Sequence, residues 1–218
     1  DNSSRFGKYL EILFDKDVVI CGARIRTYLL ERSRLVFQPK TERNYHIFYQ
    51  IMAGLDADTK KEFGLSSIDD FHYLNQGGAP IIDGVDDSKE LEETCRALSL
   101  VGIDEVKQKD IFKILAGLLH IGNINIQKTR SSAILSSDDQ NLQKASELLG
   151  LDAENFGRWI IKKQINTRSE KIISNLNYEQ SVVARDSVSI FIYASLFDWL
   201  VQFINADLCS TELEDKIE

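Results

Sequence analysis

Paired cysteine and an excess of positive charge are missing from this 218-residue sequence, and proline is scarce, with two residues. The three cysteines, Cys21, Cys95 and Cys209, lie far apart with no CxxC pair. That argues against a zinc ribbon or disulfide frame and for reduced, buried thiols in a cytoplasmic protein. Lys and Arg total 26 against 34 Asp and Glu, a net charge of −8. Sequence-independent nucleic-acid binding rests on cations that neutralise phosphates, so no nucleic-acid partner is expected, and an anionic partner needs a local basic patch. The most apolar stretch, residues 190–204, is broken by Asp198 and Gln202. It falls short of the ~20 apolar residues that span a bilayer, so no membrane insertion is expected. The polar start offers no signal peptide. Beginning at Asp1 without Met, the sequence reads as excised from a longer chain.

What is present suits one large domain, or one and a half, with 43% hydrophobic residues. Residues 8–14 are rich in strand formers. Asp15-Lys16-Asp17 makes a turn and residues 18–30 offer a second extended run, so a β-hairpin is predicted. Pro39 marks a loop, and residues 42–55 carry helical spacing through Tyr45, Phe48, Ile51 and Met52. Residues 75–84 hold three glycines and Pro80 and should be a surface loop. Asp87 with Glu90 suggests a capping box that opens a helix toward Gly102. Further helices are predicted over 110–121, ended by Gly122-Asn123, and over 138–149, stopped by Gly150. The polar stretch 127–141 should be an exposed loop. A long helix over 177–206 should turn Val188, Phe191, Ile192, Ser195, Trp199 and Phe203 inward. His46, His72 and His120 have no second ligand at metal spacing and read as core or boundary residues, and Trp159 and Trp199 as packing.

Two segments carry candidate chemistry. At the start, Asn2-Ser3-Ser4-Arg5-Phe6-Gly7-Lys8 runs straight into a strand. Paired hydroxyls are hard ligands of the kind Mg²⁺ accepts beside phosphate, and a guanidinium can fix a carboxylate in two places. Ser-Ser-Arg alone is a common tripeptide, and taken by itself a solvated strand entry is the better account of it. Later, Arg158, Lys162, Lys163, Arg168 and Lys171 stand against only Glu170. Such a run is usually a solvated loop.

The longer strings decide between these readings. Asn2-Ser3-Ser4-Arg5-Phe6-Gly7-Lys8 resembles the switch I signature of myosins, whereas kinesins continue the shared core with Ser-His. Gly22-Ala23-Arg24-Ile25, Tyr28-Leu29-Leu30-Glu31-Arg32-Ser33-Arg34 and Glu42-Arg43-Asn44-Tyr45-His46-Ile47-Phe48-Tyr49-Gln50 continue the resemblance in order. So do Leu118-Leu119-His120-Ile121-Gly122-Asn123-Ile124 and Leu196-Phe197-Asp198-Trp199-Leu200. Asp1 and Thr167-Arg168-Ser169-Glu170-Lys171-Ile172 resemble class V, most of all its fungal members.

The resemblance implies a mainly α chain with a small β-hairpin, part of the central sheet of an α/β P-loop-type motor head. Residues 1–30 would hold switch I and the hairpin. Residues 31–206 would form a helical upper actin-binding subdomain with a contact loop at 164–175. Residues 207–218 would be an acidic loop leading toward switch II. The cofactors implied are ATP and Mg²⁺. Asn2, Ser3 and Ser4 would bind nucleotide, Ser4 would ligate Mg²⁺, Ser3 would hold the attacking water, and Arg5 would pair with a switch II glutamate. Lys162, Lys163, Gln164, Arg168, Glu170 and Lys171 would meet the actin filament. Loop 127–141 matches a variable surface loop of the same subdomain. The phosphate loop, switch II and lower subdomain would come from the rest of the head, and calmodulin-like light chains and cargo adaptors would bind other regions. Neither GxxxxGK[ST] nor Asp-x-x-Gly-Phe-Glu occurs in these residues, so the fragment alone should be inactive. The alternative is a helical scaffolding module, or a pseudo-motor, without nucleotide chemistry.

Overall fold

The computed structural model describes residues 5–166 and 171–208. Strands β1 (Phe6–Phe14) and β2 (Ile20–Leu29) pair antiparallel from Phe6↔Leu29 to Leu13↔Gly22, as predicted, with a bulge between Leu13 and Phe14. The Asp15 carboxylate closes the turn by accepting from the amides of Asp17 and Val19, both at 2.9 Å. Phe6, Tyr9, Leu10, Ile12, Ile20 and Tyr28 are exposed on this hairpin. An alternating strand with one solvated face would not spend so many large apolar residues, whereas a strand covered on both faces would.

The body is helical: α1 (His46–Gly54), α2 (Ala57–Phe63), α3 (Asp87–Leu100), α4 (Glu105–Gly122), α5 (Gln140–Leu149), α6 (Ala153–Ile161) and α7 (Tyr178–Leu208). Aspartates 56, 104, 139 and 152 each cap a helix by accepting the amide three residues on. The cap of α3 is Asp86, which accepts from Ser88 and Lys89. The predicted capping box at Asp87 is therefore wrong by one residue, because Asp87 is engaged by Arg43 instead. Gly150 ends α5 in the left-handed region at φ 66°, where a Cβ is strained. The core joins Phe48, Tyr49 and Ile51 of α1 to Phe63, Phe71, Tyr73, Leu115, Leu118 and Leu119. Gly122 permits this packing: a Cβ there would lie 2.8 Å from the Tyr73 ring. Cys21 and Cys95 are free and half-buried rather than buried.

Two predictions about α7 need correction. Its innermost line is Ser181, Arg185, Ser189 and Ala194, while Phe191 is 71% exposed and Ser195 and Trp199 also face outward. Two of its polar residues, Arg185 and Ser189, find partners on that face, while the Ser181 hydroxyl is buried without a hydrogen-bond partner among the described residues. The Tyr73 hydroxyl donates to Asp186 at 2.7 Å, and Arg185 Nε donates to the same carboxylate oxygen at 2.9 Å. Trp159, like Trp199, is more than a third exposed rather than packed inside. Within residues 178–206 of α7, an 18-residue stretch has a mean hydropathy of 1.6, so the helix is long and apolar enough to cross a membrane by length and composition. The sequence expectation took only residues 190–204, interrupted by Asp198 and Gln202, as the apolar stretch. Here α7 lies against α4, α6 and β2. Near its end, the Asn205 amide accepts from the Ile25 amide at 2.8 Å and donates to the Ile25 carbonyl at 2.7 Å, tying helix to strand.

The remaining strands were not foreseen. Loop 127–141 contains the two-residue pair β3 (Gln127–Lys128) and β4 (Ala133–Ile134). The basic segment is not a loop throughout. It folds into β5 (Lys162–Asn166) and β6 (Lys171–Asn175), an antiparallel hairpin.

Candidate functional site

Arg5 sits at the foot of β1, and its side chain turns into the body instead of toward solvent. The residue is 6% exposed. Its backbone carbonyl accepts from the amides of Leu30 and Glu31, at 3.1 and 3.2 Å, which fixes the strand entrance to the end of β2. The guanidinium lies over the turn before α1. One nitrogen is 3.1 Å from His46 Nε2 and 3.5 Å from the Asn44 carbonyl, and another is 3.4 Å from the Arg43 carbonyl.

That turn is itself held from every side. The Asn44 amide group donates to the Leu35 and Tyr73 carbonyls, both at 2.8 Å, and its oxygen accepts from Tyr45. Arg34, 1% exposed, donates from Nε and Nη2 to the two Glu31 oxygens at 2.9 Å. It also donates to Glu42 and, at 3.0 Å, to the Arg43 carbonyl. Arg43 grips Asp87 with both terminal nitrogens, at 2.7 and 2.9 Å, and lies over the Tyr49 ring. Three guanidiniums and three carboxylates thus share one largely buried site, where fork-shaped charge pairing is strongest. Burial and then the nearby Arg34 charge pull the Arg5 pKa down. Burial, reinforced by Arg5 and Arg43, pushes His46 down to about 4, so its imidazole is neutral at physiological pH. Burial and Glu31 push Tyr45 up to about 12, leaving its hydroxyl to donate to the Glu31 carbonyl at 2.7 Å.

The second candidate site is the β5–β6 hairpin. Lys162 pairs with Asn175, Lys163 with Ser174, Gln164 with Ile173 and Ile165 with Ile172. Lys163, Gln164 and Lys171 are exposed and Lys162 is half-buried. The buried Leu176 closes the hairpin at its base. Its amide donates to the Ile161 carbonyl at 2.8 Å, and its carbonyl accepts from Ala133 at 2.9 Å. The hairpin is therefore rooted on α6 and on β4 of the neighbouring loop.

Both sites lie within a recognisable family. The family model described as myosin head (motor domain) matches residues 1–217. The chain belongs to the myosin head family. It is 65% identical over 217 residues to Myosin-2 of Saccharomyces cerevisiae, covering 100% of this chain and 14% of that protein. The figure is 64% for Myosin-2 of Lachancea kluyveri, with the same coverage. Myosin-52 of Schizosaccharomyces pombe is 53% identical over 209 residues, 95% of this chain and 14% of that relative. The chain thus spans about 14% of the length of the curated relatives it matches.

Within this myosin-head chain, the first signature is split. Arg5 is in the buried cradle, while Asn2, Ser3 and Ser4 lie outside the described residues. Of the six residues expected to meet the filament, Lys162, Lys163, Gln164 and Lys171 come together on the hairpin, and Arg168 and Glu170 lie outside the described residues. Sequence reasoning missed His46 as a partner of Arg5, having read it as a boundary residue. It also missed Ile165, Ile172 and Ile173, which the hairpin exposes beside the lysines. The available signal was the β-branched residues set in each polar run, Ile165 in the first and Ile172-Ile173 in the second. His120, buried, bonds Asn141 and the Phe63 carbonyl, and His72 is exposed. Among the described residues no cluster of three or more His, Cys, Asp or Glu is placed to hold a metal.

Proposed function

We propose that this chain is the switch I and upper actin-binding part of an actin-activated, ATP-hydrolysing cytoskeletal motor of class V, which carries cargo along actin filaments in the cytoplasm. The observation that carries the reading is Arg5. One residue after the paired serines, its guanidinium is enclosed at the root of a strand among polar partners. The donor set at this strand entrance, one amide, two hydroxyls and a guanidinium, fits phosphate and Mg²⁺. In that reading Asn2 and Ser3 hold the terminal phosphate, Ser4 ligates Mg²⁺, and Arg5 latches to a carboxylate elsewhere in the head. Bound Mg²⁺ would neutralise charge on the phosphates. The chain's own part is to position water at Ser3 and to exclude solvent by closing on Arg5.

The apolar β1–β2 hairpin supports the same reading, because its exposed faces suit a central sheet completed by the rest of the head. The basic hairpin suits an acidic filament. The class assignment rests on Thr167-Arg168-Ser169-Glu170-Lys171-Ile172. In the full-length protein, Arg5→Ala should bind MgATP but stall hydrolysis, slowing a single turnover on the order of a hundredfold or more, as for a broken desolvated pair. Hydrolysis at the parent rate would overturn the latch.

A further inference from the structure

The far end of α7 meets the β1–β2 hairpin through one side chain. The Asn205 carboxamide oxygen accepts from the Ile25 amide at 2.8 Å, and its nitrogen donates to the Ile25 carbonyl at 2.7 Å. A carboxamide carries a donor and an acceptor side by side, as the edge of a strand does. Asn205 therefore takes, at Ile25, the place of a residue on a neighbouring antiparallel strand. Asparagine is a poor helix former, yet here it stands inside α7, which runs on to Leu208. Helix propensity does not account for it, whereas the two bonds do.

Such a joint does not slide. Main-chain groups along a paired strand point alternately toward the partner and away from it. Ile25, opposite Leu10, spends both of its groups on Asn205, so Arg24 and Arg26, opposite Glu11 and Tyr9, turn theirs toward β1. The next outward positions, Ala23 and Thr27, lie two residues away, about 7 Å along the strand. A helix that shifts by less carries β2 with it or loses both bonds. The nearby contact of the Phe6 and Phe197 rings, centroids 6.5 Å apart, has no such register. At its other end α7 is joined stiffly to the basic hairpin. Leu176 is bonded to Ile161 and Ala133, and the next residue caps the helix reciprocally with Gln180. The Asn177 oxygen accepts from the Gln180 amide at 2.8 Å, and the Gln180 side-chain oxygen accepts from the Asn177 amide at 3.2 Å. The 31 residues of α7 span about 46 Å at ~1.5 Å per residue. From Ile25, β2 leads on toward Leu30, whose amide donates to the Arg5 carbonyl.

We propose that Asn205 is the joint that couples the basic hairpin to the strand carrying Arg5, so that filament binding at one end of α7 alters the nucleotide site at the other. The joint deepens the proposed function and rests on it, since it matters only if the hairpin meets a filament and Arg5 serves a nucleotide site. Coupling of this kind is reciprocal: a change that filament binding makes in nucleotide affinity is matched by the change that nucleotide makes in filament affinity. Asn205 contributes by making α7 and β2 move as one body, and it touches neither ligand.

The test uses the full-length protein. Its affinity for actin filaments is measured without nucleotide and with a non-hydrolysable MgATP analogue, and the ratio of the two is the coupling. Asn205→Leu removes both bonds at similar volume. The ratio should fall about tenfold, the scale of two neutral hydrogen bonds, while filament affinity without nucleotide and nucleotide affinity without filaments each stay within about twofold. Hydrogen exchange at the Ile25 amide should accelerate as its partner is lost. A merely structural role would lower both separate affinities along with the ratio, and that outcome overturns the joint. So does an unchanged ratio, or an Ile25 amide that exchanges at the parent rate. Gln202→Ala, on the exposed side of the same helix end, should leave the ratio alone, and an equal fall there overturns the assignment to Asn205. Should Asn205→Leu not fold, Asn205→Asp takes its place, keeping an acceptor for the Ile25 amide and losing the donor to its carbonyl. A several-fold fall then supports the joint, and no change overturns it. If nucleotide leaves the parent's filament affinity unaltered, the proposed motor function fails. If the parent responds and Asn205→Leu responds equally, only the joint fails.

Discussion

Arg34 and Lys163 belong to the same acidic chain, yet one is 1% exposed and the other lies on an open strand. Around Arg34 each cation is met by a positioned acceptor: Glu31 and Glu42 for Arg34, Asp87 for Arg43, carbonyls and His46 for Arg5. On the hairpin the described lysines face strand neighbours that carry no charge, Asn175 opposite Lys162 and Ser174 opposite Lys163. Buried guanidiniums hold a shape, and their removal leaves carboxylates stranded in a low-dielectric site. Exposed ammoniums act at a distance through a field that salt can cancel. The choice of residue follows the same division, with forked arginine inside and compact lysine at the surface.

The sharpest way to break the comparison is to truncate one member of each cluster and measure stability. Arg34→Ala leaves Glu31 and Glu42 without their shared donor and removes the shorter of two hydrogen bonds to the Arg43 carbonyl. A loss of about 3–5 kcal/mol is expected, seen as a large fall in thermal midpoint or loss of soluble protein. Lys163→Ala should stay within about 0.5 kcal/mol of the parent. If Arg34→Ala melts at the parent's temperature, the buried cluster does not hold the turn, and the contrast collapses.

The two regions also differ in how legible they were. The β1–β2 hairpin, α1, α4, α5 and the extent of α7 follow from strand formers, helical spacing and glycine stops, all local signals. The signature residues pointed to Arg5 by resemblance. What no local signal carried is where Arg5 goes. Its cradle is built from residues 38 to 41 positions away, and those contacts exist only once β2 has turned the chain back onto the segment before α1. The inner face of α7 was misread for a related reason. Apolar residues occur all round that helix, so spacing alone cannot choose a side, and the choice falls to Tyr73 and its bonds to Asp186 and Ser189. The β5–β6 strands were hidden by their charge, which drew attention away from Ile165 and the adjacent Ile172 and Ile173.

The smallest expected effect concerns the hairpin's partner and is read in association kinetics. Lys162→Ala with Lys163→Ala should lower the on-rate for actin filaments several-fold at low salt and less at physiological salt, with basal ATPase unchanged. Screening sets the difference: the Debye length is about 30 Å at 0.01 M and roughly 8 Å at 0.15 M ionic strength. The exposed isoleucines beside the lysines should not share this salt dependence, because apolar burial is not screened. Ile172→Ser should therefore weaken binding about equally at both salt concentrations and act mainly on the off-rate. Glu170 supplies the remaining contrast. If the hairpin only steers by charge, Glu170→Ala makes the tip more positive and should raise actin activation. If Glu170 instead fixes the tip or meets a cation on the filament, the same change lowers activation, and a lowered value is the outcome expected here. A rise would leave bulk charge as the whole of the hairpin's contribution.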